Sequence, residues 1–308
     1  MNVCVLGGSG FVGTELVTRL VHAGHWVRVP TRNLGHAERL RVLDTAELSV
    51  VNVHEPRILS QLFASCEVVI NLVGILNESG HASFDLVHRV LPAKIMAAAR
   101  NAGVKRVLHM SALGADPKAP SRYLRSKAAG EAELRAVAHP DAPHVEVTIF
   151  RPSVIFGPYD SLTNRFVHLL HLSAGLLPLA RARARFAPIG VFDVADAFVR
   201  ALNSHASRSA TYELCGPEVV TLEEIVRRTA RVAGVPCHIL PLPDLLGRLQ
   251  AAVLGLLPGK PFSLDNFRSL TVDCVCRENG CAALGIRASP MLAVLPTYLG
   301  PQPEGAFA

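Results

Sequence analysis

The chain has 308 residues, enough for two compact units or for one large unit with an appendage. Half of it is hydrophobic and only 18% is charged, which excludes a largely disordered chain. The net charge of +6 suits an anionic small ligand or an anionic lipid surface. The basic residues are not gathered into one long patch, so nucleic acid is not an expected partner.

Residues 3–6 form a short apolar run followed by turn residues and read as a buried strand. Residues 11–22 have helical spacing, with Phe11, Leu16, Leu20 and Val21 on one face. Strands are expected over 25–29, 48–53, 67–72, 107–110 and 144–150. Helices are expected over 93–101, stopped by Gly103, and over 123–137. Strands alternating with helices make this an α/β chain: a Rossmann, doubly wound parallel sheet with its ligand at the carboxyl ends of the strands. After Arg151 the pattern loosens, and Pro152, Pro158, Pro178 and Pro188 punctuate apolar stretches. A helix is expected over 194–202, a strand over 211–214, and a helix over 218–232 entered through the capping box Thr221-x-x-Glu224. The division that follows is a nucleotide-binding domain over 1–158, to which 191–216 returns. A smaller, discontinuous substrate or partner domain takes 159–190 and 217–308. The tail after residue 301 reads as loose.

The seven cysteines sit mostly in apolar runs, where a free thiol packs as a small hydrophobe. With no signal-peptide pattern, they read as reduced thiols of a cytoplasmic protein. No apolar run is long enough to cross a membrane. Residues 245–257 read as a buried helix of the smaller domain, with an interfacial helix at the inner face of the membrane as the alternative. Arg181-x-Arg-x-Arg185 reads as a solvated loop, with phosphate or lipid headgroups as the alternative. His168 and His171, and the group Cys274, Cys276 and Cys281, lack the further ligands a metal site needs, so no metal is expected.

Gly7-Gly8-Ser9-Gly10-Phe11-Val12-Gly13 follows the first strand and opens the first helix. Glycines at 7, 10 and 13 permit a tight turn and close approach of a pyrophosphate to the helix N-terminus. The second strand ends in Pro30-Thr31-Arg32-Asn33, with no acid for a ribose 2′-OH. Arg32 there suits a 2′-phosphate, so NADP(H) is preferred over NAD(H). Tyr123 and Lys127 are one helical turn apart, and an ammonium there would lower the phenol's pKa for proton exchange. Ser111 ends the preceding strand and is expected to point into the same mouth and hold a carbonyl oxygen.

Together the stretches Gly7 to Gly13, Thr31-Arg32, 71–74, 109–131 and 151–158 (RPSVIFGP) resemble the short-chain dehydrogenases/reductases of the extended or atypical kind. Residues 191–195, 212–217 and 263–271 add to the match. Within that group the chain is similar to the branch holding the NADPH-binding accessory subunit of mitochondrial complex I and its bacterial relatives. The resemblance implies that Gly7, Gly10 and Gly13 hold the pyrophosphate, flanked by Ser9, Phe11 and Val12. It implies Arg32 at the 2′-phosphate, Asn52 and Val53 at the adenine, and Val73 and Gly74 along the riboses. Lys127 would bind the nicotinamide ribose, and Pro152, Ser153 and Val154 would pack near the nicotinamide.

The acceptor is expected over the nicotinamide, bounded by Ser111, Tyr123, Ile75 and Phe156. The apolar run 168–180 suits a hydrophobic substrate, a quinone or a membrane surface better than a sugar nucleotide. Two readings follow. In one, the chain is an NADPH-dependent oxidoreductase with Tyr123 as acid/base, Lys127 as its tuner and Ser111 as carbonyl holder. In the other, it is a non-catalytic accessory protein that docks on a respiratory or quinone-synthesis complex. A nucleotide-sugar epimerase or dehydratase is the weaker third.

Overall fold

The computed structural model describes residues 1–136 and 144–300, so the expected loose tail and the helix end at residue 137 lie outside the described residues. Six strands open the chain: β1 (Asn2–Leu6), β2 (Trp26–Thr31), β3 (Ala46–Val50), β4 (Val68–Asn71), β5 (Arg106–Met110) and β6 (Glu146–Pro152). Between them run α1 (Phe11–His22), α2 (Pro56–Phe63), α3 (Leu91–Asn101) and α4 (Arg122–Arg135). The second half adds β7 (Ile155–Phe156), α5 (Thr163–Leu172), β8 (Leu176–Ala180), β9 (Arg185–Phe186), β10 (Ile189–Gly190) and α6 (Val191–Asn203). It continues with β11 (Thr211–Leu214), β12 (Val220–Thr221), α7 (Leu222–Ala233), β13 (His238–Leu242), α8 (Asp244–Leu254) and α9 (Leu264–Ser269).

Seven strands pair in parallel in the order β11-β6-β5-β4-β1-β2-β3. The chain builds outward from β1 to β3, then crosses back to lay β4 on the other side of β1. That reversal opens a crevice beyond Leu6 and Asn71, the paired ends of β1 and β4. Strand residues alternate between two cores. Val3, Val5 and Ile70 pack with Leu16, Leu20 and Phe198 of α1 and α6. Cys4, Leu6 and Val69 pack with Leu59, Phe63 and Ile95 of α2 and α3. Burial on both faces is why these strands read as continuous apolar runs.

Beyond β6 the chain forms three small two-stranded sheets, β7 with β10, β9 with β12 and β8 with β13. Phe156, Leu170, Leu177, Phe186, Ile225 and Ile239 make a further core with α5 and α7. The capping box at α7 is formed: Thr221 Oγ1 accepts the Glu224 N–H, and Glu224 Oε2 accepts the Thr221 N–H at 2.6 Å. Helix α6 begins three residues earlier than the spacing predicts, and α2, entered by Pro56, is an addition.

Two expectations are corrected. Cys215 and Cys276 are joined in a disulfide, with Cα atoms 6.0 Å apart. Their separation of 61 residues hid the pairing, which depends on the end of β11 lying beside the segment around Cys276. Helix α8 is not buried: Leu245, Leu249 and Val253 face solvent, and only Gly247 and Ala251 are enclosed.

Candidate active site at the strand ends

The three glycines of the first loop serve different ends. Gly7 has φ +79°, a turn conformation that suits glycine. A Cβ on Gly13 would overlap the Gly7 carbonyl oxygen, so α1 packs against the loop only without one. Gly10 is exposed, and a Cβ there would meet little but that oxygen, at 3.3 Å. Gly10 is also the N-cap of α1, with no side-chain cap and no acid in the first turn, so the uncovered N–H groups are open to an anion. Ser9 ties the loop to the end of β2 through Thr31, Oγ to Oγ1 at 3.0 Å. This geometry fits a dinucleotide pyrophosphate, with Phe11 and Val12 in the first turn of the helix that faces it.

Arg32 is exposed at the end of β2, and among the described residues it pairs with no carboxylate. Asn52 and Val53 follow the end of β3, where Asn52 Oδ1 accepts the His54 N–H at 3.1 Å and shapes the turn. Beyond β4, Asn71 Oδ1 accepts the Val73 N–H at 3.1 Å.

Helix α4 starts at this crevice with its first turn closed. Asp265 accepts the N–H groups of Arg122 and Tyr123 at 2.7 and 2.9 Å, and Ser121 caps Leu124 at 3.2 Å. Lys127 is buried with its Nζ donating to the Met110 carbonyl at 2.8 Å, which among the described residues leaves two ammonium protons unmatched. The same Nζ stands 3.5 Å from where a Cβ on Gly74 would be, so Lys127 and Gly74 do meet at the mouth. Burial pushes Lys127 down to about 8, against the opposing charge of Glu131.

His88 lies on a π-helical turn over Asp85–Val90, a geometry that often marks functional sites. Its Nε2 accepts the Ile75 N–H at 3.0 Å, so Nδ1 carries the proton and donates to Ser126 Oγ at 2.8 Å. Burial and the Lys127 ammonium push His88 down to about 3, so it stays neutral. Its ring meets Tyr123 edge-on at 5.6 Å, and Phe84 closes on Tyr123 at 6.0 Å. Among the described residues the Tyr123 hydroxyl has no hydrogen-bond partner. Burial raises its pKa, with the Cys274 side chain adding to the rise. This corrects the expected fall: Lys127 spends its hydrogen bond on Met110, and desolvation governs the phenol.

Ser111 is also corrected. Its N–H continues the β5–β6 ladder to the Phe150 carbonyl at 2.7 Å, which turns its side chain toward α4. Its only proton goes to Glu131 Oε1 at 2.5 Å. Arg151 grips the same buried carboxylate with two bonds of 2.8 and 2.6 Å. In this arrangement Ser111 holds a carboxylate inside the protein and does not reach a carbonyl in the mouth. Glu131 was legible as the residue one turn beyond Lys127; Arg151 follows from neither spacing nor motif.

Ser153 is likewise committed, donating to the Cys274 carbonyl at 2.8 Å, and it sits between Pro152 and Val154 at the end of β6. Phe156 is fully buried in the core formed with α5 and α7 and does not line the mouth. A cleft of about 330 Å³ opens nearby, and its walls include Asp116, Lys118, Arg151, Glu213, Asp273 and Arg277. That lining is more charged than the sequence suggests. Among the described residues no three His, Cys, Asp or Glu side chains gather as a metal site.

The profile of the NAD dependent epimerase/dehydratase family matches residues 3–215. The chain is 32% identical over 292 residues to the mitochondrial NADH dehydrogenase [ubiquinone] 1 alpha subcomplex subunit 9 of Arabidopsis thaliana, covering 89% of this chain and 71% of that one. It is 31% identical over 242 residues to the ceramide reductase of Caulobacter vibrioides, covering 79% and 74%. Among solved structures it superposes on MoeE5 in complex with UDP-glucuronic acid and NAD, with a TM-score of 0.76, 20% identity and coverage of 97% and 98%.

Proposed function

The chain belongs to the NAD dependent epimerase/dehydratase family, and from that premise we propose that it is an NADPH-dependent reductase of an apolar carbonyl or quinone-pathway compound. Gly7, Ser9, Gly10, Phe11, Val12 and Gly13 hold the pyrophosphate. Arg32, exposed and unpaired among the described residues, takes the 2′-phosphate and sets the preference for NADP(H). Asn52 and Val53 border the adenine, Val73 and Gly74 the riboses, and Pro152, Ser153 and Val154 the nicotinamide. The bound nicotinamide supplies the hydride.

The observation that carries this reading is the Tyr123 hydroxyl, set at the strand ends and, among the described residues, without a hydrogen-bond partner. A phenol protonated at neutral pH can donate to the oxygen on which charge develops in carbonyl reduction. Lys127, one turn along α4 and with one hydrogen bond among the described residues, contacts the nicotinamide ribose. The similarity to a ceramide reductase supports an apolar substrate.

NADPH oxidation by the purified protein, measured with long-chain ketones, a quinone analogue and a nucleotide sugar, tests the proposal. Turnover with an apolar acceptor, lost in Tyr123→Phe, is the expected result. Tight binding of the nucleotide sugar, with no apolar turnover, overturns it in favour of the epimerase reading.

The relative from Arabidopsis thaliana, named as a subunit of NADH dehydrogenase, favours a second reading: NADPH is a structural ligand, and the chain docks on a respiratory or quinone-synthesis complex. It predicts an unimpaired Tyr123→Phe and a defective Gly10→Asp in the native host.

A further inference from the structure

Helix α8 turns its small residues inward and its large ones out. Gly247 and Ala251, one turn apart, pack against β8 and α9. A Cβ on Gly247 would come within 2.9 Å of the Ala180 Cβ and 3.0 Å of the Phe267 ring, so that face admits nothing larger. Leu245, Leu249, Ala252, Val253 and Leu256 recur at i, i+4, i+7, i+8 and i+11, on the opposite side of the helix and of the turn after it. Leu245 is 79% exposed, Leu249 59% and Leu256 87%. Leu176 of β8 and Leu240 of β13, exposed on the side of their sheet that α8 only partly covers, extend the apolar surface. Isolated exposed leucines are ordinary; a continuous stripe of them is not.

The border of this patch is cationic. Residues 172–187 and 238–273 together hold six Lys and Arg against three Asp and no Glu. All three carboxylates are used within the protein, Asp244 by Arg181 at 2.7 Å, Asp265 by the start of α4 and Asp273 by Arg185 at 3.7 Å. Arg183, Arg248 and Arg268 are exposed and, among the described residues, meet no carboxylate. The patch itself, residues 244–257, contains no aromatic residue and no methionine. Protein interfaces are anchored by Trp, Tyr, Arg and Met, with Leu and Val under-represented among their hot spots. An aliphatic stripe rimmed by unmatched guanidinium groups is instead complementary to acyl chains under anionic headgroups.

We infer that the outer face of α8 docks on an anionic lipid surface. The segment after the patch leads to the site. Lys260 Nζ donates to the Glu78 carbonyl at 2.7 Å, Ser263 Oγ to Asn77 Oδ1 at 2.8 Å, and Asp265 holds the first turn of α4. The segment that follows α8 is thereby tied to the end of α4 that carries Tyr123. Docking itself does not rest on turnover.

The test is sedimentation of the full chain, with NADPH present, on vesicles of phosphatidylcholine with and without phosphatidylglycerol. The wild type is expected to bind the anionic vesicles more strongly and to lose binding as salt rises. Leu249→Glu with Leu256→Glu, at positions too exposed to matter for folding, should weaken binding at least roughly tenfold. Arg183→Glu with Arg248→Glu should erase the preference for phosphatidylglycerol. Three results overturn the proposal: no binding to either vesicle, binding unchanged in the leucine variant, or a dimer without vesicles that the leucine variant converts to a monomer. The last would assign the face to a second copy of the chain. None of these readouts uses reduction, so they stand apart from the fate of the proposed activity.

Discussion

The Asp265 carboxylate holds the backbone N–H of Tyr123 at 2.9 Å across 142 residues of sequence. With Ser121 and the second Asp265 oxygen, it closes the first turn of α4, whereas the first turn of α1 is left open. The difference matches what each helix end does: α1 keeps its N–H groups for a phosphate, and α4 fixes the tyrosine.

Asp265→Ala should therefore act on the tyrosine's position. Loss of the cap is expected to cost about 1 kcal/mol of stability. The kcat for reduction should fall while the Kd for NADPH is unchanged. Asp265→Asn, which keeps one acceptor, should recover part of the kcat. Equal losses in NADPH binding and kcat would mean that Asp265 supports the whole fold and has no special hold on Tyr123.

The two glycine positions separate binding from stability. Gly10→Asp places a carboxylate at the open N-terminus of α1, where a Cβ meets only the Gly7 oxygen at 3.3 Å. NADPH affinity should drop more than about tenfold with little change in Tm. Gly13→Ala forces a methyl group onto the Gly7 carbonyl and should lower Tm, by roughly 1–3 kcal/mol of overpacking or more. Calorimetry of both variants, for melting and for NADPH binding, checks the contrast.

Tyr123→Phe and Ser111→Ala should part company in the same way. The Tyr123 hydroxyl has no partner among the described residues, so its removal should leave Tm alone and cut kcat by about 10²–10⁴. Ser111 donates to a buried carboxylate, so Ser111→Ala should cost roughly 1.5–3 kcal/mol and leave kcat within about tenfold. A collapse of kcat in Ser111→Ala at unchanged Tm would return Ser111 to the role of carbonyl holder.

What could be read from the sequence was what depends on near neighbours or on a period. The strands β1, β4 and β5 stand out because both faces are buried, and the loop Gly7 to Gly13 because each glycine answers a local need. The α7 capping box spans three residues and is formed as written. The Cys215–Cys276 disulfide and the Asp265–Tyr123 contact join distant segments, and no local signal announces them. Ser111 fails for a subtler reason. The end of β5 is legible, but which side its last residue faces depends on continued pairing with β6. For α8 the apolar stripe is visible in the sequence. Only the close approach of Gly247 to Ala180 shows that the stripe is the outer face.

Lys127 gives the pH prediction. Burial lowers it to about 8 from its ordinary 10.5. Below pH 8 the lysine is charged in folded and unfolded chains alike, and folding carries the full cost of burying the charge, about 3 kcal/mol for a shift of that size. Between about 8 and 10.5 the folded chain releases a proton that the unfolded chain keeps, so this cost is relieved as pH rises. Lys127→Met removes the charge and gives up the charged bond to the Met110 carbonyl, worth roughly 1.5–3 kcal/mol. At pH 7 the variant should melt at or slightly above the wild type, and any gap should close as pH approaches 10. NADPH binding should weaken at the same time, because the buried ammonium beside Gly74 is kept for the ribose at the expense of stability. Melting curves from pH 6 to 10, with and without NADPH, measure both effects. A variant that melts below the wild type at pH 7 would show that the protein already satisfies the Lys127 charge without the nucleotide.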